Sequence, residues 1–439
     1  MKEPIDTLLT AAMVVTMNAE FELIADGGLA VRGSYIVAVG PADELRGRFA
    51  PAESHHYPHH IIMPGLVNAH THLAMTLMRG LNDDLRLDVW LGYLMPIERQ
   101  FVDEAWVRLG TKLGCAELIR SGVTSFADMY YFEEAVAEET AAIGLRALLG
   151  QTVLMFPAPD ASTYEDALAR CRRFIEGWNG HELIQPAVSP HAWYTATPEL
   201  LRACVALAKE YDVPLHTHIA ETEYEVQNCT HLHDMNVTEW NDEHGILGTK
   251  LLAAHCVHIT RPEMKLLQEA GAGVAHCPTS NLKLGSGIAA VAEMQEMGLK
   301  VGIGTDSTAS NNDLDMFEEL RLAALLAKVK RNDPTDLPAR DTLALSTMGG
   351  ARALHMGDKT GSLEVGKHAD LIVVSTGGAH NWPQFNHHPE AVYSRLVYAT
   401  KSGDVQDVMC HGRWLMRDRT LLTVDEAEVT AATVPIAQK

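Results

Sequence analysis

The stretch IIMPGLVNAHTH, residues 61–72, decides the fold, because an apolar run in it ends in two histidines separated by one residue. In an extended strand, residues i and i+2 point to the same side, so His70 and His72 face one point. Such a pair alone is weak evidence for a functional site in a chain that holds 22 histidines. Its place at the end of an apolar segment gives it weight, because similar segments follow along the chain.

Eight short apolar segments recur from residue 61 onward, with helical patterns between them. They are IIMPGLVNAH (61–70), GVTSFADM (122–129), LRALLGQTV (145–153), LIQPAVSPH (183–191), VPLHTHIAE (213–221), LLAAHCVHI (251–259), GAGVAHCP (271–278) and KVGIGTDS (300–307). This alternation predicts parallel strands, and eight is the number that closes a barrel. We therefore predict an α/β fold with a TIM-like (β/α)8 barrel over residues 61–360.

The two chain ends have a different pattern, in which short strand-like runs are separated by turns. We predict that residues 1–60 and 361–439 together form one small β-sandwich domain. The run HHYPHH at residues 55–60 raises the idea of a second metal site. Because it precedes the barrel and contains Pro58, we interpret it as an exposed connector.

Composition excludes several classes of function. The chain has 35 Lys and Arg against 57 Asp and Glu, a formal net charge of −22, and no basic block, which argues against nucleic acid as a partner. No apolar run approaches the roughly 18 residues that span a bilayer, so we expect no membrane partner. Seven scattered cysteines without a CxxC motif argue against disulfides and a thiolate zinc site, and favour the cytoplasm. The sequence is compatible with a monomer or a homo-oligomer.

Polar residues end several of the predicted barrel strands. His216 and His218 close the fifth segment, Glu221 follows it, His255 lies in the sixth, and Asp306 lies in the eighth. Each alone has an ordinary structural explanation, such as a core histidine or a helix-capping aspartate. Together they indicate one site, because the C-terminal ends of barrel strands meet at one mouth. Histidine nitrogens and carboxylate oxygens are the ligands of a catalytic zinc that keeps one position for water.

The motifs PGLVNAHTH, HIAE, AHCV, GTD and GSLEVGKHADLIVV together resemble the amidohydrolase superfamily over nearly the whole chain. The resemblance implies one divalent metal ion, zinc or alternatively iron, with four ligands: His70, His72, His218 and Asp306. It also implies that Glu221, His255 and Asp306 act on the attacking water. Binuclear members use a carboxylated lysine on the fourth strand, which LIQPAVSPH lacks, so we expect a mononuclear site. We interpret His216 as structural.

Two further motifs, VWLGYLMPIE (89–98) and SPHAW (189–193), resemble the 5'-methylthioadenosine/S-adenosylhomocysteine deaminases. The resemblance implies that Glu98 binds the ribose hydroxyls and His191 the purine, while Glu221 and Asp306 also face the adenine ring. Without it, Glu98 would be a solvated helix residue and His191 a core histidine. Trp90 is a candidate pocket wall, although a tryptophan in an amphipathic helix more often belongs to the core.

The implied reaction is hydrolytic deamination of an adenine nucleoside, in which Glu221 takes a proton from water and delivers it to N1 of the ring. Relatives that accept S-adenosylhomocysteine are expected to offer an arginine after the third strand, but residues 151–165 contain neither Arg nor Lys. We therefore predict a preference for 5'-methylthioadenosine over S-adenosylhomocysteine or adenosine.

Two alternative functions stay open. One is a hydrolase or deaminase of another N-heterocycle, of the guanine, cytosine or triazine type; Glu98 argues against it, because a base without ribose has no use for that residue. The other is a metal-free scaffold protein of the same fold. Such a protein is expected to lose ligands, and all of them are present here.

Overall fold

The computed structural model describes residues 1–385, 387–436 and 438. The strands in chain order are β1 Glu3–Val15, β2 Leu23–Arg32, β3 Tyr35–Pro41, β4 Phe49–Pro64, β5 Leu66–Thr71, β6 Val123–Tyr130, β7 Arg146–Val153, β8 Ile184–Pro190, β9 Leu215–Ile219, β10 Leu251–His255, β11 Gly273–His276, β12 Lys300–Ile303, β13 Leu371–Ser375, β14 Val405–Cys410, β15 Arg413–Arg417 and β16 Thr420–Leu421. The α-helices in chain order are α1 Ala42–Arg48, α2 Leu87–Phe101, α3 Glu104–Arg120, α4 Glu133–Ile143, α5 Tyr164–Trp178, α6 Pro198–Tyr211, α7 Glu223–His233, α8 Val237–Glu243, α9 Arg261–Glu269, α10 Pro278–Lys283, α11 Val291–Glu296, α12 Met316–Arg331, α13 Ala339–Leu345, α14 Met348–Ala353, α15 Ala391–Tyr398 and α16 Glu426–Thr433.

Strands β5 to β12 form one parallel sheet in which each strand pairs with the next along the chain. Helices lie between the strands, as the alternating pattern predicts, and the predicted (β/α)8 fold is confirmed. The C-terminal strand ends share one side of the sheet, so the polar residues that follow them are brought together.

The seam between β5 and β12 is closed by side chains and loops. The Asn68 amide donates to Thr305 Oγ1 at 2.8 Å and accepts from the Thr305 N–H at 3.1 Å. The Asp306 N–H donates to the His70 carbonyl at 2.9 Å. A Cβ on Gly302 would lie 2.8 Å from that of Ala69, so only glycine permits this close approach of the backbones. The seam thus places two candidate metal ligands side by side.

Small residues fill the barrel interior, where alanines from β5, β6, β8 and β11 pack with one another. Helix α14 closes the N-terminal end of the barrel. It approaches so closely that a Cβ on Gly273 would lie 2.0 Å from the Ala353 carbonyl oxygen. The interior is therefore packed from below, and the C-terminal end is left for the site.

The two chain ends build a second eight-stranded sheet, in the order β16, β15, β14, β13, β4, β1, β2, β3, as predicted. Its residues alternate between two cores. Ile61 and Met63 of β4 pack with the barrel helices, while Ile62 packs with Leu9 and Leu371 inside the second sheet. The second sheet is therefore joined to the barrel along one face.

Two expectations for this region are wrong. The run HHYPHH is part of β4 and not a connector, since Pro58 falls where the pairing of β4 with β1 is irregular and needs no ladder hydrogen bond there. Residues 61–64 also belong to β4, and the first barrel strand begins only at Leu66. Gly65 alone separates the two strands. Only glycine fits at this position, because a Cβ there would lie 2.1 Å from Thr124 Oγ1. We propose Gly65, rather than residue 60, as the domain boundary.

A buried ion pair ties the barrel to the second sheet. The Arg146 guanidinium donates to the Asp370 carboxylate at 3.0 Å, and the His411 N–H donates to the same carboxylate at 2.6 Å. Burial alone raises the pKa of Asp370, but the charge of Arg146 holds it below its ordinary value.

None of the described helices is both long and apolar enough to cross a bilayer.

Candidate active site

Four residues expected as metal ligands meet at the mouth of the barrel. His70 and His72 lie at the end of β5, His218 lies on β9, and Asp306 follows β12. One ring nitrogen from each of the three histidines lies within 4.8 Å of the others. The Nε2 atoms of His70 and His72 each lie 3.4 Å from the Asp306 carboxylate.

The other ring nitrogens of two of these histidines are held by backbone carbonyls. His72 Nδ1 lies 2.5 Å from the Met129 carbonyl oxygen, and His218 Nδ1 lies 2.7 Å from that of His191. Because a carbonyl only accepts hydrogen bonds, each Nδ1 carries the proton and each Nε2 keeps its lone pair. This is the arrangement in which an imidazole is oriented to bind a metal ion.

His70 is oriented by another histidine. Its Nδ1 lies 2.9 Å from His216 Nε2, while its Nε2 is buried without a hydrogen-bond partner in the described part of the chain. Burial lowers the pKa of His70 to about 4, so its imidazole is neutral at pH 7. A buried neutral nitrogen facing a carboxylate and two further imidazoles fits a divalent metal ion. His216 supports a ligand, which agrees with its interpretation as structural.

Asp306 is fixed by several donors and by its backbone. Its Oδ2 accepts from Ser280 Oγ at 2.6 Å and from Ser310 Oγ at 3.1 Å, and its Oδ1 accepts from the Ser307 N–H at 2.8 Å. Its φ of 62° lies in the left-handed region, which aspartate tolerates better than most residues. Burial alone raises the pKa of Asp306, but the His70 ring, whose Nε2 lies 3.4 Å away, holds it well below its ordinary value.

Glu221 and His255 face each other beside this cluster. Glu221 Oε2 lies 3.7 Å from His255 Nε2, and His255 Nδ1 lies 2.9 Å from Asn281 Oδ1. Glu221 Oε1 is buried and has no hydrogen-bond partner among the described residues. Burial, followed by the charge of Asp306, raises the pKa of Glu221 well above its ordinary value. The Glu221 N–H donates to Glu225 at 2.7 Å, which fixes the turn after β9.

A pocket extends from the cluster to helix α2, and Glu98 and Trp90 line it together with the candidate ligands. Glu98 is buried and accepts from the Tyr130 hydroxyl at 2.7 Å and, more weakly, from the Tyr131 hydroxyl at 3.5 Å. Burial raises the pKa of Glu98 to about 7. Glu98 is therefore a buried carboxyl of the pocket and not a solvated helix residue.

His191 lines the same pocket at the end of β8. Its Nδ1 lies 3.1 Å from Thr195 Oγ1, and its ring centroid lies 4.7 Å from that of His218. Burial lowers the pKa of His191 to about 3, so the ring is neutral and offers one donor and one acceptor. The candidate metal-binding, catalytic and substrate-binding residues from the sequence thus lie in or beside one pocket.

The segment 151–165 contributes Thr152 to the pocket lining, while Met155 is half exposed. A cation reaches this segment from α2. The Arg99 guanidinium donates to the Pro157 carbonyl at 3.0 Å and lies over the Phe156 ring at 5.5 Å. The lack of Arg and Lys within the segment therefore does not mean that no cation is near it.

Sequence reasoning missed several residues that complete the site. Tyr130 ends the second barrel strand and Tyr131 follows it, so the strand-end rule could have found them. Ser280 and Asn281 lie on α10 and hold Asp306 and His255. No sequence signal marked them, because their role depends on how α10 packs beside the mouth. Cys256 and Cys277 are buried and donate to backbone carbonyls.

Comparisons with known proteins agree with this geometry. The model of the amidohydrolase family matches residues 61–415, and that of the bacterial imidazolonepropionase-like composite domain matches residues 27–52. The chain belongs to the amidohydrolase family. Within the amidohydrolases it is similar to 5-methylthioadenosine/S-adenosylhomocysteine deaminases of several bacteria. It is 44% identical to that of Syntrophobacter fumaroxidans, over 97% of this chain and 96% of the relative, and 40% identical to deaminase 1 of Syntrophus aciditrophicus, over 100% and 98%.

Two solved structures show how closely this amidohydrolase follows its relatives. An adenosine deaminase from Xanthomonas campestris with bound zinc is 39% identical, has a TM-score of 0.97, and covers 100% of this chain and 99% of its own. An atrazine chlorohydrolase from Arthrobacter aurescens, complexed with zinc, is 24% identical and has a TM-score of 0.89. The match covers 98% of this chain and 99% of the chlorohydrolase chain. The second likeness shows the fold alone.

Proposed function

We propose that the protein is a metal-dependent deaminase that hydrolyses adenine nucleosides to their inosine analogues and ammonia, with a preference for 5'-methylthioadenosine. One observation carries the proposal: a buried carboxyl suited to ribose, Glu98, lines the same pocket as the metal-ligating cluster. The names of the curated relatives and the 39% identical adenosine deaminase support the same substrate class.

The metal in this proposal is zinc, with iron as the alternative. His70, His72, His218 and Asp306 would hold it, and the zinc in the adenosine deaminase structure supports the choice. A bound divalent metal ion would lower the pKa of a water molecule to about 7 and so make hydroxide available at neutral pH. The neutral imidazoles described above are the protonation state that such binding requires.

Glu221 would move the protons. Its unpartnered, buried Oε1 is free to accept a proton from the attacking water and to deliver it to N1 of the adenine ring. Because burial raises the pKa of Glu221, its carboxyl holds an acquired proton more tightly than an exposed glutamate does, which suits it to act next as an acid. His255, held by Asn281 at 2.9 Å, would keep its Nε2 directed at the water and at the oxygen that forms on C6.

The remaining pocket residues would orient the nucleoside. Glu98 would accept hydrogen bonds from the ribose hydroxyls, and the neutral ring of His191 would bind the purine. Trp90 would form an apolar wall for the sugar or base. A substrate without ribose would leave the Glu98 carboxyl buried with only its two tyrosine donors and its remaining lone pairs unsatisfied, at a cost of about 1–3 kcal/mol. This cost disfavours guanine, cytosine and triazines as substrates.

The preference for 5'-methylthioadenosine rests on the segment that continues from the pocket-lining Thr152, where Phe156 and Pro157 are apolar and Arg99 is already engaged with the Pro157 carbonyl. A methylthio group suits such a surface better than a charged amino-acid tail. Comparison of kcat/KM for the two nucleosides tests the preference, and comparable values would refute it. The Arg99→Met variant shows whether this cation serves the charged tail, since only S-adenosylhomocysteine turnover would then fall.

An ultraviolet absorbance assay with the zinc-loaded protein tests the function. The substrates are 5'-methylthioadenosine, S-adenosylhomocysteine, adenosine, adenine, guanine and cytosine. We expect a change to the inosine-type spectrum with the adenine nucleosides and little turnover of the free bases. Faster turnover of guanine or cytosine than of every nucleoside would overturn the proposal.

The proposed compartment is the cytoplasm. All seven cysteines are free and buried thiols, which is typical of proteins kept in a reducing environment.

A further inference from the structure

Two carboxyl groups outside the metal cluster, Asp128 on β6 and Glu133 at the start of α4, are fully buried. Each has one oxygen that receives no hydrogen bond from a donor group in the described part of the chain: Asp128 Oδ2 and Glu133 Oε2. The two carboxyls lie within hydrogen-bonding range of each other. Two ionised carboxylates cannot hydrogen-bond, since both only accept, whereas one proton between them satisfies both oxygens.

The surrounding donors indicate which carboxyl carries the charge. Asp128 Oδ1 accepts from the Leu73 N–H at 2.6 Å and from Thr71 Oγ1 at 2.8 Å. Glu133 Oε1 accepts from the Tyr130 N–H at 2.7 Å. Thr71 divides its one proton between Asp128 and the Ala127 carbonyl, which lies equally close at 2.8 Å, and this partial second donor favours ionised Asp128 and protonated Glu133. Burial raises the pKa of both groups, and the negative charge of Asp128 raises that of Glu133 further.

This carboxyl pair touches the supports of two parts of the site. Thr71 and Leu73, which donate to Asp128, are the residues on either side of the candidate ligand His72. Tyr130, whose N–H is bound by Glu133, donates its hydroxyl to Glu98 at 2.7 Å. A shift of either carboxyl would therefore move a metal ligand or the residue that holds the ribose-binding carboxyl.

We propose that Asp128 and Glu133 are positioning residues that share a single proton and thereby hold His72 towards the metal and Tyr130 against Glu98. The positioning of Tyr130 against Glu98 matters only if the proposed function is right. The positioning of His72 depends only on metal binding at the cluster. The pair contacts neither substrate nor metal, so it acts through other residues.

Amide substitutions distinguish a shared proton from two separate charges. In Glu133→Gln the new N–H₂ donates to Asp128 and the amide oxygen still accepts from the Tyr130 N–H. In Asp128→Asn the amide oxygen still accepts from Thr71 and Leu73, and the N–H₂ donates to an ionised Glu133. In the double variant the two N–H₂ groups face each other, and neither has an acceptor. Each single variant therefore keeps the bridge, and only the double variant breaks it.

Zinc affinity of the metal-free protein, measured by competition with a chromophoric chelator, is the main readout. We expect both single variants to bind zinc within about threefold of the parent, and the double variant to bind it roughly 10- to 100-fold more weakly, as for other residues that orient a ligand. Glu134→Gln is the matched control, because Glu134 is the exposed neighbour of Glu133 on α4. Loss of the positioning of Tyr130 against Glu98 would appear as a raised nucleoside KM in the double variant.

If the double variant folds poorly, the midpoint of urea unfolding of the metal-free variants provides a second measurement that tests the proposal. A shared proton predicts that the loss in the double variant exceeds the sum of the single losses. Additive or improving effects, expected when two repelling charges are removed, would overturn the proposal, as would parent-like zinc affinity of the double variant. Zinc binding needs no substrate, so the zinc affinities of the variants could still be interpreted if the protein proved not to be a deaminase.

Discussion

Replacement of Glu98 by glutamine tests ribose recognition and the cost of burying this carboxyl in one variant. The glutamine side chain would retain an oxygen for the Tyr130 hydroxyl, and the Tyr131 hydroxyl can turn to accept from the amide, so the fold should tolerate the change. The lost feature is the negative charge that would receive the ribose hydroxyls. We expect turnover of nucleosides to suffer while the metal-free protein gains stability at high pH.

Both magnitudes follow from the surroundings of Glu98. Hydrogen bonds to a charged group contribute about 1.5–3 kcal/mol, so kcat/KM for nucleosides should fall roughly 10- to 100-fold, mainly through KM. Burial raises the pKa of Glu98 from an ordinary value of 4.5 to about 7. The unfolded chain therefore releases this proton from about pH 4.5 upward, whereas the folded chain keeps it until about pH 7. The fold loses up to about 3 kcal/mol as the pH rises through this window, and the Glu98→Gln variant avoids the loss.

The assay combines kinetics of the zinc-loaded enzyme with urea unfolding of the metal-free protein at pH 5 and pH 8. The variant should exceed the parent in stability by less than about 1 kcal/mol at pH 5 and by up to about 3 kcal/mol at pH 8. Asp88→Asn serves as the control, since Asp88 lies on the same helix but is exposed. An unchanged nucleoside KM would refute ribose binding by Glu98, and equal stability at both pH values would refute the burial argument.

Three further substitutions test separate parts of the molecule. Glu221→Gln should lower kcat by roughly 10²- to 10⁴-fold while zinc, measured by elemental analysis, is retained, because the proton carrier is lost and the ligands are not. Arg146→Met leaves the Asp370 carboxylate buried without its cation and should lower the free energy of unfolding in urea by about 3–5 kcal/mol. His216→Leu removes the support of His70 and should weaken zinc binding roughly 10- to 100-fold in a chelator competition.

Each of these outcomes has a result that would contradict it. An active Glu221→Gln enzyme would remove Glu221 from the proton transfer. A loss below about 1 kcal/mol for Arg146→Met would make its ion pair no stronger than a surface pair; Glu3→Gln, which breaks the exposed pair with Arg48 at 3.0 Å, gives that reference. Unchanged zinc affinity of His216→Leu would show that His70 keeps its orientation without this contact.

The fold and the metal cluster were predictable because both depend on a strict rule of barrels. Strand ends share one mouth, so residues far apart in sequence, such as His70 and Asp306, could be placed together from their positions in apolar segments alone. The strand boundary at Pro64 was not predictable by the same means. Residues 61–64 and 66–71 are both apolar, and the chain passes from one sheet to the next at Gly65 without a loop.

The supports of the site were harder to predict, because they depend on packing rather than on strand order. Asn281 reaches His255 from a helix that follows another strand, and Glu133 meets Asp128 only because α4 begins beside the end of β6. In a linear sequence, a glutamate in the first turn of a helix looks like an ordinary N-terminal charge. Its complete burial is what separates Glu133 from exposed Glu134 next to it.

The concentration of buried carboxyls around the pocket explains why stability and function should change in opposite directions here. Burial raises the pKa of Glu98 and of Glu225 to about 7, so each costs the fold free energy at neutral pH when it ionises. The same burial brings carboxyl pKa values near the pH at which a group can both accept and release protons. Asp306, whose pKa is held low beside His70, supplies the negative charge at the mouth that a divalent cation would neutralise. Glu221, whose pKa burial raises well above its ordinary value, thus costs the metal-free barrel free energy when it ionises and is also the group that would move the proton.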